Sequence, residues 1–308
     1  MVSVIIPNYN HSIFLKERIE SVLNQSYQDF EIILLDDLST DDSKDVIKIY
    51  SENPKISHIV FNTSNSGSTF RQWEKGLILA KGDWIWIAES DDVAHPDFLE
   101  VVMEKTRIDR DIVCSFSASM EINAKGEELK KVDWAFNISP RNWNDDYINN
   151  GIEEIKNQFY YKCIIPNASA VIFRKSAVDL KVFDKIIKMR FAGDWLFWIK
   201  LLEKGKIAYS SRVLNKFRMH GHTTRSIKTS ELEKQRFSES LSVIFYIRRR
   251  YNLSWDWDKH YWIINDWFYK LSSFSNKSSL AVLNLFPLAY KSKMIAKYIL
   301  IKCKNMLR

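Results

Sequence analysis

Between residues 2 and 88, four short apolar, β-branched runs alternate with amphipathic segments, and this alternation narrows the choice of fold more than anything else in the chain. The runs are Val2–Ile6, Phe30–Leu35, Ile56–Phe61 and Trp84–Ala88. Runs this short, without polar alternation, read as strands buried on both faces of a parallel sheet. The first intervening segment starts at Ser12, a helix cap, and puts Leu15, Ile19, Val22 and Leu23 on one face. Helices over about 43–50 and Phe70–Ala80 fill the other two gaps. Strand–helix alternation of this kind predicts an α/β, doubly wound, mainly parallel sheet with right-handed crossovers. No GxGxxG follows the first strand and no Walker A sequence is present, which argues against dinucleotide-binding and P-loop domains.

The fourth strand belongs to the stretch G-D-W-I-W-I-A-E-S-D-D-V-A-H-P, which places Glu89, Asp91 and Asp92 just past the strand's end. Ligands bind at that end of the strands in open α/β sheets. Carboxylates crowded there repel one another unless a cation sits among them. Asp36-Asp37 forms a second cluster after the second strand. The polar loop Asn62–Ser68 follows the third strand, with Gly67 available for positive φ. The competing reading of each cluster is a solvated turn whose Asp caps the next helix.

Beyond residue 96 the pattern predicts a helix over Phe98–Thr106, a strand over Ile112–Ser117, a long loop with hairpin character over 120–150 and a strand over Ala168–Phe173. Residues 191–205, F-A-G-D-W-L-F-W-I-K-L-L-E-K-G, read as an apolar helix with Asp194 at its entrance and Gly205 at its end. Strands over Ile207–Tyr209 and Val213–Arg218 run into a loop bearing His220 and His222. From Thr229 the pattern is helical: Glu231–Arg250, Trp257–Phe274, and 279–305 interrupted at Pro287. The expected division is a catalytic domain over 1–228 and a helical extension over 229–308.

The net charge is +7, yet eight basic residues and no acidic ones follow Asp266, leaving residues 1–266 one charge negative. The basicity therefore belongs to the tail, and a nucleic-acid partner is not expected. Cys114, Cys163 and Cys303 are far apart, so neither a zinc site nor a disulfide framework is predicted. The first residues lack the pattern of a signal peptide, and no apolar run is long enough to span a bilayer. A cytoplasmic location is expected. Over 290–307, Met294, Ile295, Tyr298, Ile299 and Ile301 fall roughly together, with Lys293, Lys297 and Lys304 on another side. This pattern suits either contact with an anionic membrane at the inner face of the cell or packing against protein.

Taken in order, S-V-I-I-P-N-Y-N, D-D-L-S-T-D-D-S, N-S-G, A-K-G-D-W-I-W-I-A-E-S-D-D, G-D-W and F-R-M-H resemble the family-2-type inverting glycosyltransferases of the GT-A fold, from Val2 to about Ser226. The resemblance implies that Pro7, Tyr9 and Asn10 line a nucleotide pocket. Asp37 would bond the base or ribose, Asn65 would lie in the donor site, and Arg71 would approach the diphosphate or sugar. Glu89-Ser90-Asp91 takes the place of the family's D-x-D, Glu89 replacing the usual first Asp. Asp91 and His220 would hold Mn2+ or Mg2+ with Asp92 in support, and Asp194 would be the catalytic base. Its apolar neighbours Phe191, Trp195 and Trp198 would tune it.

The implied reaction moves a hexosyl or N-acetylhexosaminyl group from a nucleotide sugar, UDP by default, to a hydroxyl of a growing glycan. The implied setting is bacterial O-antigen or capsule synthesis on a lipid-linked acceptor. A sugar nucleotidyltransferase is the rival enzyme, but it calls for a Gly-rich, basic loop where Pro7-Asn8-Tyr9-Asn10 stands. A silent module that binds nucleotide sugar or glycan is the rival of another class, and Glu89 is the residue in its favour. His11, His58 and His95 read as structural or solvated, and Trp84 and Trp86 as core.

Overall fold

The structure, a computed structural model, describes residues 1–133, 141–221, 229–266, 286 and 288–306. Strand β1 (Val2–Asn8) lies between β2 (Phe30–Asp36) and β4 (Trp84–Ile87), parallel to both. β3 (Ile56–Phe61) extends the parallel set beyond β2. Every residue of β1, β2 and β4 is buried, as unbroken apolar runs require. Trp84 and Trp86 are part of that core.

Helices α1 (Ser12–Leu23), α2 (Ser43–Lys48) and α3 (Thr69–Leu79) are the crossovers. α1 buries Phe14, Leu15, Ile19 and Val22. Ser12 does not cap α1. Its N–H donates to Asp41 Oδ2 at 2.8 Å, so a carboxylate in the loop after β2 satisfies that free N–H. Gly76 brings α3 onto β1: a Cβ there would stand 2.4 Å from Ile5 Cγ2.

The sheet continues through β9 (Val171–Arg174), antiparallel to both β4 and β6 (Ile112–Asn123), to β10 (Lys206–Met219), which is parallel to β6. β5 (Val93–Ala94) completes the order β3-β2-β1-β4-β9-β6-β10-β5. β7 (Glu128–Lys131) pairs with β6, and β8 (Tyr147–Asn150) pairs with β10. The described part of the expected 120–150 loop thus holds two strands and the end of a third. β6 runs on to Asn123 because Ser115, Ser117 and Ser119, polar in sequence, are buried in the sheet. The two strands expected over 207–218 are one, β10, whose pairing with β6 slips between Ser210 and Asn215. α4 (Phe98–Ile108), α5 (Gly151–Glu154), α6 (Phe183–Ile186) and α7 (Gly193–Leu202) flank these strands in sequence.

The chain divides into two units, one of Met1–Met189 with Gly193–His220, the other of Arg190–Ala192 with Gly221–Arg308. The second unit contains α8 (Ser230–Arg250), α9 (Tyr261–Asn265) and α10 (Leu288–Met306). Thr229 Oγ1 caps α8 by accepting from Leu232 N–H at 3.3 Å. Glu231 and Glu233 in its first turn and Arg248–Arg250 in its last match the helix dipole. Glu239 of α8 accepts from the backbone N–H groups of Arg190, Phe191 and Ala192. The helix expected from Trp257 begins at Tyr261, after a turn in which Trp255 stacks on His260 at 4.1 Å. Residues 267–274 and 279–285 of the expected helices lie outside the described residues.

Candidate active site

The end of β4 is fixed from two sides. The Glu89 N–H donates to Ser169 Oγ (3.1 Å), and Trp86 Nε1 donates to the Ser169 carbonyl (2.9 Å). Glu89 Oε1 accepts from Trp73 Nε1 of α3 at 3.0 Å. Burial, followed by the repulsion of Asp91, pushes the Glu89 carboxyl up to about 8. Asp92 is buried and pushed up to about 7 by the same two causes. Its carboxylate accepts from Arg218 N–H (2.9 Å) and Asn167 Nδ2. Asn167 Oδ1 in turn accepts from Asn215 Nδ2 at 2.9 Å. Asp92 therefore ties the acidic turn to β10.

Asp91 is the carboxylate that meets imidazole. His220, just past β10, has Nε2 3.0 Å from Asp91 Oδ2. Burial alone would raise the Asp91 carboxyl, but the His220 hydrogen bond and the nearby charge of His11 hold it below its ordinary value. His11 follows β1, and its Nδ1 lies 2.8 Å from Ser90 Oγ. The rings of His11 and His220 meet edge-on with centroids 5.4 Å apart. One ligand atom from each of His11, Asp91 and His220 falls within a 4.8 Å set. One carboxylate and two imidazoles form a donor set that fits a divalent cation.

Arg218 braces this cluster. It is 1% exposed, and its Nε donates to the Asp91 carbonyl at 2.7 Å. Nη1 reaches the carbonyls of Asn123 and Ala124, and Nη2 reaches Glu17 of α1.

The neighbouring loops carry the expected nucleotide residues. Pro7 is buried in β1 opposite Leu35, and Tyr9 is 48% exposed. Asn10 has φ 55°; its N–H donates to Ser39 Oγ, and its Oδ1 accepts from Thr40 N–H at 2.8 Å. Asp36 closes the turn after β2 by accepting from Asn8 Nδ2 and Ser39 N–H, both at 3.0 Å.

Asp37 is a hub. Its Oδ1 accepts from Asn62 Nδ2 (2.7 Å), Ser66 N–H (2.9 Å) and Gln72 Nε2 (2.9 Å), and its Oδ2 accepts from Ser66 Oγ (2.7 Å). Asn65 Nδ2 donates to the Asp37 carbonyl at 2.8 Å. Leu38, next in the chain, sits at φ 63°, a conformation bulky residues adopt only when their surroundings impose it. Gly67 has φ 71°, as its loop requires. Arg71 is exposed on α3.

Asp194 stands in the first turn of α7, half-buried, with Oδ1 accepting from Trp195 N–H at 2.7 Å. A contact chain links this turn to the acidic cluster. A Cβ on Gly193 would stand 2.5 Å from Phe70 Cε2. Phe70 packs on Trp73 with ring centroids 5.1 Å apart, and Trp73 holds Glu89.

Of the expected residues, Ser90, Asp91, Asp92 and His220 meet at one place with Glu89 beside them. Asp37 and Asn65 form an adjoining loop network, and His222 lies outside the described residues. His11, read from sequence as structural or solvated, joins Asp91 and His220 instead. Its signal was positional: it stands three residues past the end of the strand that pairs with β4, at the start of α1.

A doubly wound sheet that gathers carboxylates and imidazoles past β1, β4 and β10 is a GT-A architecture, and solved structures agree. Staphylococcus aureus TarS (residues 1–349, in complex with UDP-GlcNAc) superposes with a TM-score of 0.64 at 19% identity, covering 96% of this chain and 78% of that one. The mannosyltransferase PcManGT of Pyrobaculum calidifontis, in complex with GDP-Man and Mn2+, gives 0.53 at 12% identity, covering 97% and 79%. At these identities the likeness shows the fold.

The chain belongs to glycosyl transferase family 2, whose family model matches residues 3–179, and it is a glycosyltransferase. The putative teichuronic acid biosynthesis glycosyltransferase TuaG of Bacillus subtilis is 28% identical over 238 residues, 77% of this chain and 86% of TuaG. An uncharacterized glycosyltransferase of Methanocaldococcus jannaschii, MJ1057, is 30% identical over 204 residues, 66% and 64%. A chondroitin synthase of Pasteurella multocida is 25% identical over 236 residues, 76% of this chain but 22% of the synthase. The chain thus spans most of TuaG, under two thirds of MJ1057 and about a fifth of the synthase.

Proposed function

We propose that this chain is an inverting, divalent-cation-dependent glycosyltransferase that moves a hexosyl or N-acetylhexosaminyl group from a nucleotide sugar to a hydroxyl of a growing bacterial surface glycan. The observation that carries this reading is the His11–Asp91–His220 group at the ends of β1, β4 and β10, where an open α/β sheet binds its ligand. UDP-sugars are the favoured donors, and the UDP-GlcNAc held by TarS supports that choice. The names of TuaG and the chondroitin synthase support a polysaccharide product.

Asp91, His220 and His11 would hold Mn2+ or Mg2+, an ion that neutralises diphosphate charge and so improves the leaving group. Asp92 keeps the turn in place through Arg218 N–H and Asn167. Pro7, Tyr9, Asn10, Asn65 and Arg71 line the nucleotide side. Asp37 Oδ2, which accepts a single bond from Ser66, keeps a lone pair for a base N–H. Asp194 takes the proton of the acceptor hydroxyl, an effect worth about 10²–10⁴-fold. That hydroxyl attacks the anomeric carbon from the side opposite the diphosphate, which inverts the centre.

α10 supports a peripheral contact with an anionic membrane bearing a lipid-linked acceptor. Ile295 (43%), Ile299 (54%) and Leu300 (62%) are exposed on a helix that also carries Lys291 and Lys293. Among the described residues no helix is long and apolar enough to cross a membrane.

The test is nucleoside-diphosphate release from a panel of UDP- and GDP-sugars with Mn2+. Wild type should turn over one donor class. Asp194→Asn should bind that donor normally and turn it over at least about 10²-fold more slowly. Undiminished turnover by Asp194→Asn would remove it as the base.

A further inference from the structure

Helix α1 directs one charged residue into the core. Arg18 has no exposed surface, and its guanidinium lies 4.8 Å from the centre of the Trp86 ring. Its Nε, Nη1 and Nη2 all lack a hydrogen-bond partner. A buried guanidinium with idle donors is costly unless opposite charge offsets it. The opposite charges that act on it are Asp92, Asp91 and Glu89, in that order. Trp86 precedes Glu89 by three residues in the strand that delivers all three carboxylates, so Arg18 lies beside the root of the acidic turn.

With all three carboxylates ionised, as they are above about pH 8, the cluster carries three negative charges. A divalent cation supplies two positive charges and Arg18 a third. We propose that Arg18 is a fixed counter-cation for Glu89, Asp91 and Asp92. It is a positioning residue that keeps the carboxylates together without metal and loosens the site's hold on a free divalent ion. The negative diphosphate of the donor restores that hold, so the ion enters with the nucleotide. This inference rests on the donor-site reading above and assigns a role to a residue outside it.

The experiment is Mn2+ binding to the nucleotide-free protein at pH 8.5, followed by electron paramagnetic resonance and calorimetry. Removing a buried positive charge near the ion should strengthen binding, which loss of a merely structural residue would not do. Arg18→Met should bind Mn2+ about tenfold more tightly than wild type, and Arg18→Lys, which keeps the charge, within about threefold of it. If Arg18→Met does not fold, Arg18→Lys carries the test, and a tenfold departure of its Mn2+ affinity from wild type overturns the proposal. Unchanged or weaker Mn2+ binding by folded Arg18→Met also overturns it and leaves Arg18 as core packing. Asp91→Asn should abolish Mn2+ binding. If it binds Mn2+ like wild type, the metal site itself is wrong and the functional reading falls with it.

Discussion

Replacing Asp37 by Asn changes one oxygen to an amide and removes one charge, and the structure sets the cost. Four hydrogen bonds end on the Asp37 carboxylate, three at Oδ1 and one at Oδ2. An Asn in the same rotamer keeps the three at its carbonyl. Ser66 Oγ can donate to the Ser68 carbonyl, 3.1 Å away, but it already accepts from Gln72 Nε2 at 3.1 Å and offers the new amide little acceptor capacity. The loss is therefore charge assistance together with an under-satisfied amide N–H in a buried loop. Bonds to a charged group contribute about 1 kcal/mol more than neutral ones, which sums to about 3 kcal/mol over the three bonds kept at the Oδ1 position. Asp37→Ala should cost more, because Asn62 Nδ2, Gln72 Nε2 and Ser66 N–H would then lose their acceptor. Urea unfolding followed by tryptophan fluorescence gives both values. A loss below about 0.5 kcal/mol for Asn, or equal losses for Asn and Ala, would refute the hub assignment.

Other residues yield independent expectations. Gly193→Ala should destabilise by about 1–3 kcal/mol and lower kcat, because the new Cβ would collide with Phe70 and shift the turn holding Asp194; a fully active, equally stable variant would contradict that close approach. Glu89 has a folded-state value of about 8, above its unfolded one, so the metal-free protein should lose stability as pH rises from about 5 to 8. Glu89→Gln should reduce that slope, leaving the part that Asp92 contributes up to about pH 7, and be at least about 1 kcal/mol more stable than wild type at pH 9 in EDTA, as read by urea midpoints; an unchanged slope would contradict the burial argument. Arg218→Lys should weaken Mn2+ binding about 10-fold or more, since a single ammonium cannot reach the Asp91 carbonyl, β6 and Glu17 together; calorimetry showing wild-type affinity would count against the brace.

The parallel half of the sheet was readable because β1, β2 and β4 are unbroken apolar runs separated by amphipathic helices. The acidic turn was readable because no core needs Glu89, Asp91 and Asp92 side by side. β6 was cut short in the sequence reading because its serines look solvated. They are buried through the pairing of β6 with β9 and β10, a long-range fact that local polarity does not encode. The break expected inside β10 marks an irregularity in its pairing rather than a loop. His11 and Arg18 were missed for a related reason. A lone histidine after a strand, or an arginine on an amphipathic helix, takes its meaning from the carboxylates just past β4, some 70–80 residues away in sequence. Asp37 was singled out as a ligand residue, and its packing shows that the same carboxylate also organises the loop around it.

The most direct check is calorimetric titration of UDP and GDP into the protein, each with Mn2+ and with EDTA, repeated on Asp91→Asn. The account predicts saturable binding of one nucleoside diphosphate that requires Mn2+ and is lost in Asp91→Asn. Binding that is indifferent to Mn2+ and to Asp91, or no binding by a folded protein, would contradict it.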